Sequence, residues 1–276
     1  MKLHDQHLHC WHSVDSQADP RENCLRAIER GLSGLTFTDH FDNHPTEWDL
    51  CKWDYEAIAE TIAAVRDEFG HRLRIGLGIE VCYQPQMLPV TLDYLERHAF
   101  DVVLLSVHWW DGKPMHIPSQ WEGLDWRGET RRYLENVLEA ARLCLAHREK
   151  GERPFDILGH IDLVKRYTQR FFNGFDIRAH ADVINEICRT AVAAEVIPEI
   201  NTSTWRQGLT EPMPADWVVQ RYAESGGTAM SIGSDAHRPE DIAADFDRAT
   251  AMLRNAGIVH EAVFLDRALE MIALEA

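Results

Sequence analysis

Seven short aliphatic and β-branched runs recur along the chain, at 3–9, 32–39, 73–81, 101–108, 155–162, 196–202 and 228–234, and nearly every one ends in His, Asp or Glu. Between them lie longer amphipathic stretches at helical spacing, at 20–30, 54–69, 87–98, 130–150, 178–194, 215–224 and 239–256. Strand followed by helix, repeated, implies parallel strands joined by helical crossovers, hence a closed barrel or an open doubly wound sheet. A barrel gathers its chemistry at the C-terminal ends of many strands, whereas an open sheet concentrates it at one switch point. Polar termini on successive strands therefore favour a seven-stranded α/β barrel. No Pro/Ser-rich linker, repeat or low-complexity tract interrupts the pattern, so one domain over residues 1–276 is expected.

The bulk composition narrows the function classes. A hydrophobic fraction of 45% and a charged fraction of 26% belong to a soluble globular chain. No apolar run approaches the roughly 20 residues of a membrane span. The opening MKLHDQHLH lacks the apolar stretch of a secretory signal, and a cytoplasmic protein is expected. Cys10, Cys24, Cys51, Cys82, Cys144 and Cys188 show no CxxC spacing, which predicts reduced structural thiols. A net charge of −17 repels a phosphate backbone, so a nucleic-acid partner is not expected. A small anionic substrate stays compatible, because bound metal ions reverse the sign locally. Nothing in the pattern specifies an oligomeric state.

Side chains alternate along a strand, so His7 and His9 point the same way, a spacing suited to one metal ion, while His4 faces the other side. Further strands end in TDH (Asp39, His40), GIE (Glu80), SVH (His108), GHID (His160, Asp162), EIN (Glu199, Asn201) and GSDAH (Asp235, His237). Fifteen histidines scattered at random would seldom fall one per strand terminus. His71, His98, His147, His180 and His260 sit in helix-like, charged surroundings and read as solvated.

At DQHLH, TDH, GIE, SVH, GHID and GSDAH the chain resembles the PHP (polymerase and histidinol phosphatase) family, whose members fold as a distorted seven-stranded barrel. Within it, GHIDLVKRY, EINTSTWRQG and SVHWWDG are most similar to the monofunctional histidinol-phosphate phosphatases. The resemblance implies two to three divalent metal ions (zinc, manganese or iron) at three sites. His7, His9, Glu80 and Asp235 would hold the first. Glu80 would bridge to a second completed by His108 and His160. Asp15, His40 and His237 would hold the third, with Asp15 standing where several family members have histidine. Asp39 and Asp162 are candidates to orient the imidazoles.

Three divalent ions outweigh the three carboxylates Asp15, Glu80 and Asp235, leaving a positive trap for a phosphorylated small metabolite. The implied reaction is hydrolysis of a phosphomonoester, L-histidinol phosphate of histidine biosynthesis, by a hydroxide bridging two ions. Catalytic roles would fall to Asp15 or His237 as the leaving-group acid, and to Arg166 and Arg206 as phosphate forks. Lys165 is a further candidate for phosphate. No nucleophile elbow G-x-S-x-G is present. Trp109, Trp110 and Trp205 either wall an aromatic pocket or pack beneath the helices, and the segment 112–128 has the composition of a lid. The alternatives are a phosphodiesterase or nucleotide phosphoesterase of the same family, an amidohydrolase-like C–N hydrolase, which also opens with HxH, and a non-catalytic metal-binding module.

Overall fold

The computed structural model describes residues 3–42, 53–110 and 112–274. The chain runs β1 (His4–Leu8), α1 (Pro20–Glu29), β2 (Gly34–Phe37), β3 (His40–Phe41), α2 (Tyr55–Phe69), β4 (Arg74–Cys82), α3 (Leu88–Arg97), β5 (Val102–Ser106), β6 (Trp109–Trp110), β7 (Lys113–Pro114) and α4 (Trp126–Arg148). It continues through β8 (Ile157–Leu158), α5 (Val164–Phe172), α6 (Ala181–Ala194), β9 (Ile197–Asn201), α7 (Ser203–Arg206), α8 (Asp216–Glu224), β10 (Ala229–Gly233), α9 (Phe246–Asn255), β11 (His260–Leu265) and β12 (Ala268–Ala273). The result is an α/β fold built on one mostly parallel sheet. Runs such as VVLLS in β5 and GLTF in β2 are buried at every residue, as strands covered on both faces must be. Aspartates set the starts of several helices: Asp19, Asp54 and Asp125 each accept a hydrogen bond from a backbone N–H of the first turn.

The sheet order is β1-β2-β4-β5-β8-β9-β10-β11-β12, with β3 also paired to β4. All seven anticipated strands are present and adjacent in chain order, but among the described residues the ladders form a ten-stranded sheet and not a closed seven-stranded barrel. Segment 260–273, dense in charge, adds β11 parallel to β10 and β12 antiparallel to β11. Between the backbones, the first strand is linked to the far side by an isolated bridge, Leu8 to Ala236, where Asp235 N donates to His7 O at 2.7 Å and His9 N to Ala236 O at 2.8 Å. The Gln6 side chain adds a paired contact to the Phe264 backbone, donating to its O at 3.1 Å and accepting from its N at 2.7 Å.

Other boundaries also differ from expectation. α5 occupies a stretch left without a helix, and α4 begins at Trp126, four residues early, so the anticipated lid segment ends inside a helix. The helix expected at 239–256 breaks because Ala243 and Asp245 adopt left-handed backbone, φ 52° and 60°, leaving a 3₁₀ turn before α9. Cys10, Cys24, Cys82, Cys144 and Cys188 are free and buried, in keeping with structural thiols; Cys51 lies outside the described residues. Among the described residues no helix is long and apolar enough to cross a membrane.

Asp5 is the buried tie beneath the site. Its carboxylate accepts from Ser234 N at 2.9 Å and Ala243 N at 3.0 Å, joining β1 to the turn after β10. Burial raises its pKa, against the pull of these N–H donors. Asp5→Ala leaves those donors unpaired, and we expect a loss of about 3 kcal/mol in chemical denaturation. Retention of wild-type stability would remove Asp5 from this role.

Candidate active site

The C-terminal ends of β1, β4, β5, β8 and β10 converge on one cleft of about 440 Å³, whose lining includes Asp15, His40, Glu80, His108, His160, Asp235 and His237. His7 and His9 form its buried floor. All nine anticipated ligand residues thus come together, from segments as distant as β1 and the turn after β10. Glu80, fully buried on β4, is the hub. Its Oε2 lies 3.4 Å from His7 Nε2, 3.7 Å from His9 Nε2 and 2.8 Å from His40 Nδ1. Its Oε1 lies 2.9 Å from His160 Nε2 and 3.2 Å from His108 Nε2. Asp235 Oδ1 is 3.4 Å from His9 Nε2, and Asp15 Oδ2 is 3.2 Å from His237 Nε2 and 3.6 Å from His40 Nε2.

Of these contacts His160 Nε2 to Glu80 Oε1 is a hydrogen bond, while several others leave their atoms unpaired. His7 Nε2, His9 Nε2, His40 Nδ1 and Glu80 Oε2 are all buried without a hydrogen-bond partner, which is costly unless a cation fills the space between them. The ligand atoms of His7, His9 and Asp235 lie within 4.8 Å of one another, as do those of His40, Glu80 and His108, and those of His9, His40 and His237. Imidazole and carboxylate donors suit zinc, manganese or iron. The donor set therefore fits divalent ions. Burial alone would raise the Glu80 carboxyl, but His7, His108 and His40 outweigh it and hold it well below the usual carboxylate range. His9 is driven well below its ordinary value by burial and by the neighbouring His237 and His40, which keeps it neutral, the form that binds metal.

Carboxylates behind the imidazoles fix their orientation. Glu199, from β9, accepts from His7 Nδ1 at 2.6 Å and from His160 N at 2.9 Å. It fits only because residue 233 is glycine, where a Cβ would run into the Glu199 carboxylate and the His7 Cβ. Asp42 accepts from His108 Nδ1 at 2.9 Å. Asp39 works at one remove: it accepts from Ser13 Oγ at 2.7 Å, and that oxygen lies 3.0 Å from His9 Nδ1. Sequence reasoning gave Glu199 no task and missed Asp42 and Ser13. We expect Glu199→Gln to weaken metal affinity by about 10- to 100-fold, read by competition with a chelator dye. Unchanged affinity would sink that role.

Several expected roles move. Asp162 faces away from the imidazoles, accepting from Ala215 N at 2.9 Å and pairing with Lys165 Nζ at 3.0 Å, so the buried Lys165 is held from phosphate. Arg166 does line the cleft, donating to Ser203 Oγ at 2.7 Å and Asp235 Oδ2 at 3.3 Å. Arg206 instead donates to the backbone oxygens of Ser234 and Asp235, each at 2.6 Å, clamping a turn in which Asp235 is left-handed, φ 53°. Trp109, Trp110 and Trp205 are absent from the cleft lining. Trp110 donates to Glu129 Oε2, and Trp205 stacks under Arg248. Val14, Leu163 and Tyr167 form the cleft's apolar side, and Trp121 packs behind Tyr167. His116 lines the cleft from the 112–128 segment, where no motif marked it. Among the histidines read as solvated, His180 is buried, and His98 packs between the rings of Tyr55 and Tyr94.

Comparison with known proteins adds an independent line. A protein of Deinococcus radiodurans named "Probable histidinol-phosphatase" is 32% identical over 266 residues, covering 92% of this chain and 94% of its own. The histidinol-phosphatase of Lactococcus lactis subsp. lactis is 24% identical, with 96% of this chain and 95% of that protein covered. The fold is similar to a crystal structure of histidinol phosphate phosphatase from Lactococcus lactis complexed with zinc, L-histidinol and phosphate, with a TM-score of 0.84 at 22% identity, over 98% of this chain and 99% of that one. The PHP domain family model matches residues 5–203, which span β1 with its two histidines through the Glu199 strand. The chain belongs to the PHP domain family.

Proposed function

We propose that the chain is a metal-dependent phosphomonoesterase that hydrolyses L-histidinol phosphate to L-histidinol and phosphate. The observation that carries this is the set of unpaired buried ligand atoms around Glu80, opening on a cleft lined by Arg166. Two to three divalent ions would be held by His7, His9, Asp235 and Glu80, by Glu80, His108 and His160, and by Asp15, His40 and His237. Bound there, such ions acidify water toward neutral pH and neutralise phosphate oxygens. Arg166 binds a further phosphate oxygen with its forked guanidinium, already steered by Ser203 and Asp235. Val14, Leu163 and Tyr167 exclude water from the alcohol half of the ester and offer an apolar face to its imidazole. The exposed Asp15 pairs with His237 at the lip of the cleft, and where no ion occupies the third site a protonated His237 returns a proton to the departing alkoxide. Arg206 serves by fixing the Ser234–Asp235 turn that presents two of these groups.

The finer points of the fold belong to the same reading. Residues 1–276 act as one domain, and the sheet works as a distorted seven-stranded barrel, a view supported by the backbone hydrogen bonds linking β1 to the turn after β10. We place the reaction in the cytoplasm, supported by five free buried thiols. The test is phosphate release from L-histidinol phosphate, p-nitrophenyl phosphate and bis(p-nitrophenyl) phosphate, with and without chelator and with Mn²⁺, Zn²⁺ or Fe²⁺ restored. Preference for histidinol phosphate, lost on chelation, is expected. A preference for the diester, or activity indifferent to chelator, would reject the assignment.

A further inference from the structure

A second groove, of about 710 Å³, continues outward from the cleft and shares His116, Arg166 and Tyr167 with it. Its fixed charge comes from Arg166 and Arg170, and its further polar groups from His116, Gln169, Asn173 and Gln207; among the described residues no carboxylate lines it. In a chain of net charge −17 with 45 acidic residues, a wall free of them is unusual. The groove on the other flank of the cleft is mixed, with Asp15 and Glu240 beside Arg238. Arg166 and Arg170 stand four residues apart on α5, with Asn173 at its C-cap, so one helix face carries the positive row away from the candidate metal ligands. Arg170 is exposed, and among the described residues it forms no ion pair or hydrogen bond, only a ring contact with Phe171 at 5.5 Å. The inner Arg166 Nε is buried and has no hydrogen-bond partner.

We propose that this groove is a second oxyanion subsite, outside the catalytic cleft, which binds a phosphate or carboxylate group. Its occupant is the anionic group on the alcohol half of a longer phosphomonoester, or inorganic phosphate leaving the cleft. The proposal rests on the cleft being the phosphoesterase site. It extends the substrate range beyond histidinol phosphate, whose alcohol half carries an ammonium that a cationic groove repels. Two guanidinium groups along one helix face suit two oxyanions in succession, one in the cleft and one outside it.

The experiment compares kcat/KM for 3-phosphoglycerate and glycerol 3-phosphate, which differ in a carboxylate against a neutral alcohol, and the inhibition constant of inorganic phosphate. It uses the metal-loaded wild type, Arg170→Gln, Arg170→Glu and, as a control of equal charge change on a remote helix, Arg189→Glu. Arg170→Glu should lower the ratio of the two kcat/KM values by about tenfold and Arg170→Gln by about threefold, as expected for one partly solvated charge contact. If free phosphate is the occupant, its inhibition constant rises in the same order while the ratio holds. A ratio and an inhibition constant both unmoved in Arg170→Glu, or moved as far in Arg189→Glu, overturn the subsite. Should no phosphomonoester be hydrolysed, the activity reading fails separately. Calorimetric binding of inorganic phosphate to the chelator-treated protein then decides the groove: weaker binding in Arg170→Glu supports it, and equal binding overturns it.

Discussion

Glu80→Gln is expected to lower kcat/KM for histidinol phosphate by about 10³-fold or more and to strip most of the bound metal, while leaving the chain folded. The size of the effect follows from how many partners one carboxylate serves. Five imidazole nitrogens lie between 2.8 and 3.7 Å from its two oxygens, those of His7, His9, His40, His108 and His160. An amide of the same volume keeps the packing but removes the charge, and it turns one oxygen into a donor aimed at atoms that need an acceptor or a cation. Folding should survive because the imidazoles can shed protons once the carboxylate that favours their charge is gone. The checks are metal content by elemental analysis, kinetics of phosphate release, and circular dichroism of the chelator-treated protein. Full metal content with full activity would show that Glu80 bridges nothing.

The candidate metal ligands were legible because most of them stand at or just past the end of a strand, where a short polar motif interrupts an aliphatic run. Alternation alone put His7 and His9 on one face, and the cleft bears that out. What surrounds the ligands was harder to read. Asp42 and Ser13 act from loops, and their partners His108 and His9 lie 66 and 4 residues away in the chain, so no periodicity joins them. Asp162 misled for the opposite reason: it stands two residues after His160, but the chain turns there beyond β8, and its carboxylate holds Lys165 and the Ala215 backbone instead. Arg206 shows the same limit, since a guanidinium near a strand end can meet phosphate or its own backbone, and only packing decides. The sheet's far edge was hidden because β12, with the sequence ALEMIA, is exposed at nearly every residue and carries no buried alternation. β8 was overcalled in length, as only Ile157 and Leu158 pair in a ladder.

Arg166→Met should raise KM for phosphomonoesters and lower kcat/KM by about 10²- to 10³-fold, with metal content unchanged. Among the described residues Arg166 is the one arginine lining the cleft, it is partly exposed there, and its Nη2 already sits 3.3 Å from the Asp235 carboxylate that borders the proposed metal sites. Methionine preserves the apolar stem packed along α5 and deletes only the fork. Arg166→Lys supplies charge without the bidentate geometry and should recover part of the loss, through KM more than kcat. Arg206→Met provides the contrast. Its guanidinium holds the carbonyls of Ser234 and Asp235, so its removal should loosen the strained turn that presents Asp235 and His237, lowering metal affinity rather than raising KM. Measured side by side, the two variants separate a group that meets the substrate from one that aims the ligands. If Arg166→Met loses metal while its KM stays put, Arg166 is a support for Asp235, and phosphate must find its counter-charge in the ions alone.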